Sequence, residues 1–309
     1  MPAPDLALRA RPGCLGATAP LCVQTFFPHC ASLTAEGRTV TGDLPSGPFG
    51  SVLVQITRSR SETLALIAAA WARLVSGGWL TVEGDRGDGI DGIWRHLRKH
   101  LPSALSEPKA HGRVIWVARD DTALPPWEAA LEPQQSDAGD WVTAGVFSED
   151  APDPGSAALA ALMPPLSGDV ADLGAGWGWL ARAVLAAGPE IAALDLIEAE
   201  ARALDCARRN VPDSRARFYW GDATAHRGGY DTVIMNPPFH AGRRADPRLG
   251  QAFIAAAARM LVPRGTLWMV ANRQLAYEDT LTAHFQAVDR VSQSNQFKIF
   301  RAEKPRRLR

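Results

Sequence analysis

Short apolar runs alternate with amphipathic stretches along the second half of the chain. The runs that predict buried strands lie at 169–173, 191–195, 215–219, 231–235 and 266–271. The helices predicted between them lie at 177–188, 198–209 and 248–262. Such alternation predicts a parallel sheet that helices cover on both faces. Two closely spaced runs, 286–293 and 296–302, predict an antiparallel pair at the edge of this sheet.

An internal repeat relates the two halves of the chain. Residues 67–86 align without gaps with residues 254–273, and nine of the twenty positions are identical. Each copy consists of an Ala-rich helix, a Gly turn and a strand, and another apolar strand precedes it. Chance similarity between two Ala-rich helices is the alternative. We expect the first half to be a degenerate duplicate of the second.

Pro- and Asp-rich sequence at 120–140 and 150–155 separates the two halves. Such clusters interrupt regular structure, and a chain of 309 residues is long enough for two domains. We therefore predict a degenerate domain over 1–140, with a docking or structural role, and a catalytic domain over 141–309.

The cysteine and hydropathy patterns limit the class of protein. The four cysteines form no Cys-x-x-Cys pair and have no histidines nearby at metal-ligand spacing, which argues against a zinc site or a disulfide framework. No apolar run approaches the roughly 20 residues that a membrane helix needs. We expect a cytoplasmic protein without a bound metal and without membrane contact.

Charge is balanced over the whole chain but unevenly distributed. Residues 241–309 contain 13 Lys or Arg and five Asp or Glu, a net charge of +8, and residues 1–240 carry the opposite charge. This asymmetry predicts a polyanion contact near the C-terminus. A solvated basic tail explains the composition equally well, because five of the 13 cations lie in the last nine residues.

The first loop that suggests chemistry follows the strand at 169–173 and opens a helix. Its sequence is Asp172-Leu173-Gly174-Ala175-Gly176-Trp177-Gly178, with glycines where the backbone must turn tightly and approach a ligand. The G-x-G-x-G spacing differs from the G-x-G-x-x-G of dinucleotide sites and favours S-adenosylmethionine, whose carboxylate would face the helix N-terminus. The predicted cofactor-binding residues of this loop are Asp172, Gly174, Ala175, Gly176 and Gly178.

Two further carboxylates are predicted at the ends of the next strands. Asp195 is expected to end the second strand and to hold the two ribose hydroxyls of the cofactor. Asp222 follows the third strand, beside the expected adenine pocket. Ligands of open α/β sheets bind at the carboxyl ends of strands, so these side chains should meet the glycine loop in one crevice. For each carboxylate alone, a helix cap or a solvated turn is an equally good interpretation.

The second loop, Asn236-Pro237-Pro238-Phe239, directly follows the strand at 231–235. Proline fixes its own φ and restricts the residue before it, so two prolines stiffen the loop. The Asn236 side-chain oxygen and the Pro237 carbonyl oxygen are then two fixed acceptors, which match the two N–H donors of an exocyclic amine. A plain Asn-Pro turn is the alternative. The predicted catalytic residues are Asn236, Pro237, Pro238 and Phe239.

Two of these residues have further predicted contacts. Asn236 is also expected to border the cofactor, and Phe239 to stack on a flipped-out base. The first half of the chain has neither loop, because Thr57-Arg58-Ser59-Arg60 follows its matching strand and no Gly-rich turn precedes that strand. We therefore expect only the second half to be catalytic.

The two loops resemble those of amino-group methyltransferases, and the continuation His240-Ala241-Gly242 narrows the resemblance. Asn-Pro-Pro-Phe-His is similar to the ribosomal RNA guanine-N2 methyltransferases, as are the segment 146–150, Asp153-Pro154-Gly155-Ser156 and the ending 297–302. The resemblance covers about 145–303 well and the first half more loosely. It implies an α/β protein with tandem class I methyltransferase (Rossmann-like) domains, the N-terminal one degenerate.

The family resemblance also implies a reaction and a partner. It implies methyl transfer from S-adenosylmethionine to the exocyclic N2 of a guanine, and the branch that acts on 16S rRNA is the more similar one. The expected partner is ribosomal RNA, within the small subunit or its precursor, and residues 1–140 would dock RNA or have a structural role. The predicted substrate-binding residues are Phe239, His240, Arg243, Arg244 and Lys298.

Several functions stay open at this point. Methyltransferases for 23S rRNA guanine-N2, adenine-N6 or protein glutamine are the nearest, although the last two tend to carry Tyr at the position of Phe239. A catalytically inactive RNA-binding assembly factor that has kept the fold is another possibility. Trp177 and Trp179 depart from the family pattern, since they are bulkier than expected beside a cofactor pocket.

Overall fold

The computed structural model describes residues 2–238 and 247–306. Contacts between Cα atoms divide the chain into two compact units. The first consists of Met1–Gln134 with Thr143–Gly145, and the second of Gln135–Val142 with Val146–Arg309. No helix within the described ranges is long and apolar enough to span a membrane.

The first unit contains a seven-stranded sheet in the order β3-β2-β1-β4-β5-β7-β6. Its strands are β1 (Leu6–Leu8), β2 (Leu21–Val23), β3 (Val40–Thr41), β4 (Phe49–Gln55), β5 (Leu74–Asp85), β6 (Leu105–Lys109) and β7 (Gly112–Ala118). Its helices are α1 (Phe27–Ala35), α2 (Arg60–Arg73) and α3 (Ile90–His100). The first five strands are parallel, and β7 pairs antiparallel with β5 and β6.

The second unit contains a sheet in the order β12-β11-β10-β13-β14-β16-β15. Its strands are β10 (Ser167–Leu173), β11 (Glu190–Glu198), β12 (Ala216–Trp220), β13 (Tyr230–Met235), β14 (Leu261–Asn272), β15 (Phe285–Gln293) and β16 (Phe297–Pro305). Its helices are α4 (Pro154–Leu162), α5 (Trp179–Ala187), α6 (Ala201–Asn210), α7 (Pro247–Met260) and α8 (Glu278–His284). Two short strands, β8 (Gln134–Gln135) and β9 (Trp141–Val142), lie in the segment that links the sheets.

Both sheets have the same strand order when the strands of each unit are counted from its first, 3-2-1-4-5-7-6. The repeat seen in the sequence corresponds to α2 with β5 and to α7 with β14. In both copies a helix of 14 residues leads directly into a strand of 12. The predicted α/β fold with two related sheets is therefore confirmed.

The central strands are continuous apolar runs because both of their faces are covered. Val170 on β10 and Ile234 on β13 pack with α5 and α6, and Leu173 and Met235 on the same strands pack with α7. All four side chains are completely buried. Their carboxyl ends therefore form a rigid edge on which loops can hold functional side chains in fixed positions.

A buried ion pair occupies the end of the first strand in the first unit. Arg9 follows β1 with a left-handed φ of 56°, at the position that Gly174 takes after β10 with a φ of 75°. The Arg9 guanidinium lies 2.7 Å from the buried Glu62 carboxylate and donates to Thr25 Oγ1 at 2.7 Å and to Gln24 Oε1 at 3.1 Å. Side chains thus fill the space in which the second unit has its glycine loop.

Replacing Glu62 with alanine is expected to lower the free energy of unfolding of the first unit by about 3–5 kcal/mol, because the largely buried Arg9 charge would lose its carboxylate partner. Urea unfolding measures this free energy, and Glu107→Ala, at an exposed position, is the matched control. Equal unfolding free energies for the two variants would contradict the stabilising role of the Arg9–Glu62 ion pair at the end of β1.

Candidate active site

The glycine loop joins β10 to α5 and uses left-handed backbone conformations. Gly174, Gly176 and Gly178 have φ values of 75°, 57° and 87°. A Cβ atom on Gly178 would lie 2.8 Å from Val211 and would also crowd Ala207, so only glycine lets α6 pack this closely. Apart from Gly176 itself and its chain neighbours, no atom of the described residues lies within 4 Å of the Cβ position of Gly176, which leaves that stretch of backbone open to a ligand.

Asp172 is buried directly before this loop. Its Oδ2 atom finds no hydrogen-bond partner among the described residues, while the Ala181 backbone N–H, at the start of α5, donates to the carboxyl group. Burial, followed by the neighbouring Glu198 carboxylate, raises the pKa of Asp172 to about 8. A buried carboxyl acceptor without a partner indicates a ligand that brings an N–H or O–H donor, or a positive charge.

Glu198 lies at the end of β11, where Asp195 was predicted. The strand β11 does not end at Asp195 but continues to Glu198, so the predicted strand end is wrong. The Glu198 carboxylate accepts from the Gly176 backbone N–H at 2.8 Å and from the Glu200 backbone N–H at 2.8 Å. Burial raises its pKa. Glu198, and not Asp195, therefore faces the glycine loop.

Asp195 is an internal acid of the sheet. Arg217 on β12 donates to its Oδ1 at 2.5 Å, and the Tyr230 hydroxyl donates to its Oδ2 at 2.8 Å. These two donors compensate a charged group in the middle of a buried strand, which explains why an acid interrupts the apolar run. Sequence reasoning took the interruption for the strand end, although Leu196 and Ile197 continue the buried pattern and pair with Asp172 and Leu173.

Asp222 follows the end of β12, as predicted. Its Oδ1 atom accepts from both the backbone N–H and the hydroxyl of Thr224, each at 2.7 Å. This pair of bonds is a capping turn of the kind that Asp commonly forms. A contact between Asp222 and adenine stays a prediction.

Asn236 is held by the start of another helix. It directly follows β13, and its Nδ2 donates to Asp153 Oδ2 at 2.7 Å and to Ser156 Oγ at 2.9 Å. Because an ionised carboxylate can only accept, the Nδ2 group must face Asp153, and the side-chain oxygen is directed away as an acceptor. Pro237 is buried and Pro238 exposed. The predicted acceptor on Asn236 is therefore fixed in orientation.

Sequence reasoning missed Asp153 and Ser156 as site residues. Asp153 is the N-cap of α4, where its Oδ2 also accepts from the Ser156 backbone N–H at 2.8 Å, and Pro154 occupies the first helical turn. An Asp-Pro pair is a common helix start, so the signal was present in Asp153-Pro154-Gly155-Ser156. The segment was interpreted as a break in regular structure and as part of the family resemblance, but not as a source of site residues.

One pocket brings together the glycine loop, Asp172 and the cluster of Asn236, Asp153 and Ser156. It is lined by Phe147, Ser148, Asp153, Ser156, Asp172, Gly174, Ala175, Gly176, Trp177, Trp179, Leu180 and Asn236. Trp177 is buried against Val146, Ala203 and Cys206, and its Nε1 donates to the Phe147 carbonyl oxygen at 3.0 Å. The bulk of Trp177 therefore anchors the segment around Phe147, whose own ring is 54% exposed at the pocket.

The predicted substrate contacts have different outcomes. Phe239, His240, Arg243 and Arg244 lie outside the described residues. Lys298 is described and does not have the predicted surface position, because its side chain is buried on β16 and its ammonium group pairs with Glu278 at 2.7 Å. A buried, paired cation is a poor contact for a phosphate, so the prediction for Lys298 is corrected.

No group of three or more His, Cys, Asp or Glu side chains in the described ranges is arranged to hold a metal ion. The pocket and the glycine loop beside it offer instead the buried Asp172 carboxylate, the partly buried Glu198 carboxylate, open glycine backbone and the fixed side-chain oxygen of Asn236. These groups fit an organic ligand that carries hydroxyl or N–H donors and a positive charge, and S-adenosylmethionine has all three.

Comparison with known proteins identifies relatives that cover most of the chain. The Methyltransferase small domain family matches residues 141–301. The ribosomal RNA small subunit methyltransferase C of Shewanella halifaxensis is 30% identical over 266 residues, which are 82% of this chain and 76% of that protein. The protein of the same name from Shewanella oneidensis is 30% identical over 262 residues, with the same coverage.

A solved structure agrees with this relationship. The 16S rRNA N2-guanine methyltransferase of T. thermophilus, in complex with AdoMet and guanosine, has a TM-score of 0.81 and 25% sequence identity to this chain. The superposition covers 98% of this chain and 89% of that protein, so both seven-stranded sheets have counterparts there.

Proposed function

Since the chain belongs to the ribosomal RNA small subunit methyltransferase C family, we propose that it methylates the exocyclic N2 of a guanine in 16S rRNA. As a member of this family, the chain is an S-adenosylmethionine-dependent methyltransferase. The observation that carries the proposal is the fixed Asn236 amide, which shares one pocket with the glycine loop. Acting on ribosomal RNA also gives the protein a cytoplasmic site of action.

The carboxylates and the glycine loop would hold the cofactor. S-adenosylmethionine supplies an electrophilic methyl group on a sulfonium centre. Glu198, which is fixed by the Gly176 N–H, would accept from the ribose hydroxyls. Asp172 would accept from a donor or cationic group of the cofactor through its unpartnered Oδ2. Asp222 is proposed beside the adenine.

Asn236 and Pro237 would orient the nucleophile. The Asn236 side-chain oxygen and the Pro237 carbonyl oxygen accept the two N–H bonds of the guanine amine, which directs the nitrogen lone pair at the methyl group. No strong base is needed, because the nitrogen becomes cationic on methylation and then loses a proton readily. Phe239 is proposed to stack on the flipped-out base, and Arg243 and Arg244 to contact phosphates.

The proposal is tested by methyl transfer from labelled S-adenosylmethionine to ribosomal subunits that lack native modifications. Label in the 16S rRNA of the small subunit, and none in the large subunit, is the expected result. Label in 23S rRNA or in protein would replace the proposed function with that of a sister family. Cofactor binding without transfer to any substrate would instead favour an inactive assembly factor.

Asp153 is expected to act as a positioning residue for Asn236. Asp153→Ala should lower kcat about 10- to 100-fold at nearly unchanged KM for the cofactor, because a misplacement of about 1 Å costs rate on this scale. Asp153→Asn should restore most of the rate, since its side-chain oxygen can still accept. Methyl-transfer kinetics measure both variants.

The control for Asp153→Ala is Ser59→Ala, which removes the N-cap of α2 in the first unit. Each cap removal should lower the free energy of unfolding by about 1 kcal/mol. Only the Asp153 variant should lose turnover. Equal kcat values for the two variants would contradict the positioning role.

A further inference from the structure

The solvent face of α3 in the first unit carries a cluster of positive charge. Arg95, Arg98 and Lys99 are exposed and lie three and four positions apart, so they share one side of the helix. The opposite side consists of Ile90, Ile93 and Leu97, which are buried in the core of this unit. Arg60, at the start of α2, is also exposed, and its Nη2 lies 2.7 Å from His96 Nδ1 on α3. We call Arg60, Arg95, Arg98 and Lys99 the α3 basic surface.

These four cations differ from others in the same unit. Within the ranges that the structure describes, none of the four forms an ion pair with a carboxylate. The one acid of α3, Asp91, is engaged by Arg113 at 2.9 Å and Arg86 at 3.7 Å. Cations of this unit that do pair with carboxylates are Arg9, Arg11, Arg38, Arg58, Arg73, Arg86, Lys109 and Arg113.

Aromatic rings contact Arg98 of the α3 basic surface and the histidines beside it. The guanidinium carbons of Arg98 and Arg113 lie 5.4 and 5.8 Å from the centre of the Trp94 ring. Trp127 packs against His96 and His100 with ring centroids 5.2 and 4.9 Å apart. Burial, and then the charges of Arg60, His100 and Lys99, lower the pKa of His96. Exposed cations on one side of a helix create a positive potential, which attracts a polyanion.

We infer that the α3 basic surface binds the phosphate backbone of the RNA substrate. The inference rests on the proposed function, and it assigns to the first unit a phosphate contact in addition to those proposed for Arg243 and Arg244. A membrane surface fits less well, because the apolar side of α3 faces the core and leaves nothing to insert between lipids. Cations three and four positions apart on one side of a helix can contact successive phosphates. Phosphate contacts position a nucleic acid without reading its sequence.

The test measures the affinity of the full-length protein for 16S rRNA as a function of salt concentration. Each phosphate contact contributes about 0.7–0.9 to the slope of log K against log salt. Combined Arg95→Gln, Arg98→Gln and Lys99→Gln substitution should lower the slope by about 2 and weaken binding at least about 10-fold near 0.15 M salt. Calorimetric cofactor affinity should not change, which shows that the second unit is intact.

Lys99→Gln and Lys109→Gln form a matched pair of single substitutions. Both lysines are exposed residues of the first unit, but Lys109 pairs with Glu83 at 3.1 Å and Lys99 has no such carboxylate. Lys99→Gln should lower the slope by nearly 1, and Lys109→Gln should leave it unchanged. An unchanged slope in the triple variant, or equal effects of the two lysines, would overturn the inference while leaving the proposed function intact. Failure of the unsubstituted protein to bind 16S rRNA would overturn both.

Discussion

Asn236→Ala is expected to lower kcat about 100- to 1,000-fold, the loss typical of removing one oriented polar group from a reaction centre. The side-chain oxygen is one of the two acceptors proposed for the guanine amine. The direction of this oxygen is fixed, because the Nδ2 group of the same side chain donates to Asp153 and Ser156. Without it the amine loses the orientation that aligns its lone pair.

The affinity for S-adenosylmethionine should change less than about threefold in this variant, because Asp172, Glu198 and the glycine loop are untouched. Single-turnover kinetics and calorimetry separate the two effects. Asn272→Ala is the matched control, since Asn272 ends the neighbouring strand β14 and does not line the pocket. A loss confined to cofactor binding, with normal turnover at saturation, would refute the role of Asn236.

Asp172→Asn is expected to weaken the binding of S-adenosylmethionine about 10- to 100-fold, the range for a hydrogen bond to a charged group. The wild-type affinity should also rise between pH 6 and pH 9. Burial raises the pKa of Asp172 to about 8 in the free protein, so binding of a cationic ligand favours the carboxylate and releases a proton. The pH dependence should be largely lost in the Asn variant.

The same substitution should stabilise the protein in the absence of cofactor. The pKa of Asp172 is higher in the folded state than its ordinary value of 3.8. The stabilisation that its neutral form provides is therefore complete below about pH 4 and is lost as the pH rises through 8. Asp172→Asn removes this loss, so its Tm should exceed that of the wild type by several degrees at pH 9.

Calorimetry and thermal unfolding at pH 6 and pH 9 measure these effects. Asp169→Asn is the control, because Asp169 is exposed on the same strand, β10. Wild-type cofactor affinity in the Asp172 variant at both pH values would show that Asp172 does not touch the cofactor.

The strand layout was predictable because buried parallel strands must be apolar on both faces. The predicted strand at 231–235 corresponds to β13 (Tyr230–Met235), and the predicted edge pair corresponds to β15 and β16. An apolar run can be recognised from the local sequence alone, without knowing which strands pair with it. The duplication was visible for a similar reason, since the Ala-rich helices and Gly turns of both halves have kept their lengths.

The site was less predictable because its residues depend on contacts between distant segments. Glu198 was missed because Asp195 interrupts an apolar run, and the contacts of Asp195 with the Arg217 and Tyr230 side chains, which explain an acid inside a strand, come from distant segments. Asp153 lies 83 positions from Asn236. Lys298 was taken for a surface cation because the local sequence does not reveal that this residue of β16 pairs with Glu278 on α8.

The most direct test of the central claim is the chemical identity of the methylated nucleoside. 16S rRNA in small subunits that lack native modifications is labelled with the enzyme and S-adenosylmethionine, digested to nucleosides and separated by chromatography with mass detection. The label should appear in N2-methylguanosine alone and should be absent when Asn236→Ala replaces the wild type. Label in N6-methyladenosine, or an equal yield with the variant, would contradict the assignment of this site to guanine N2.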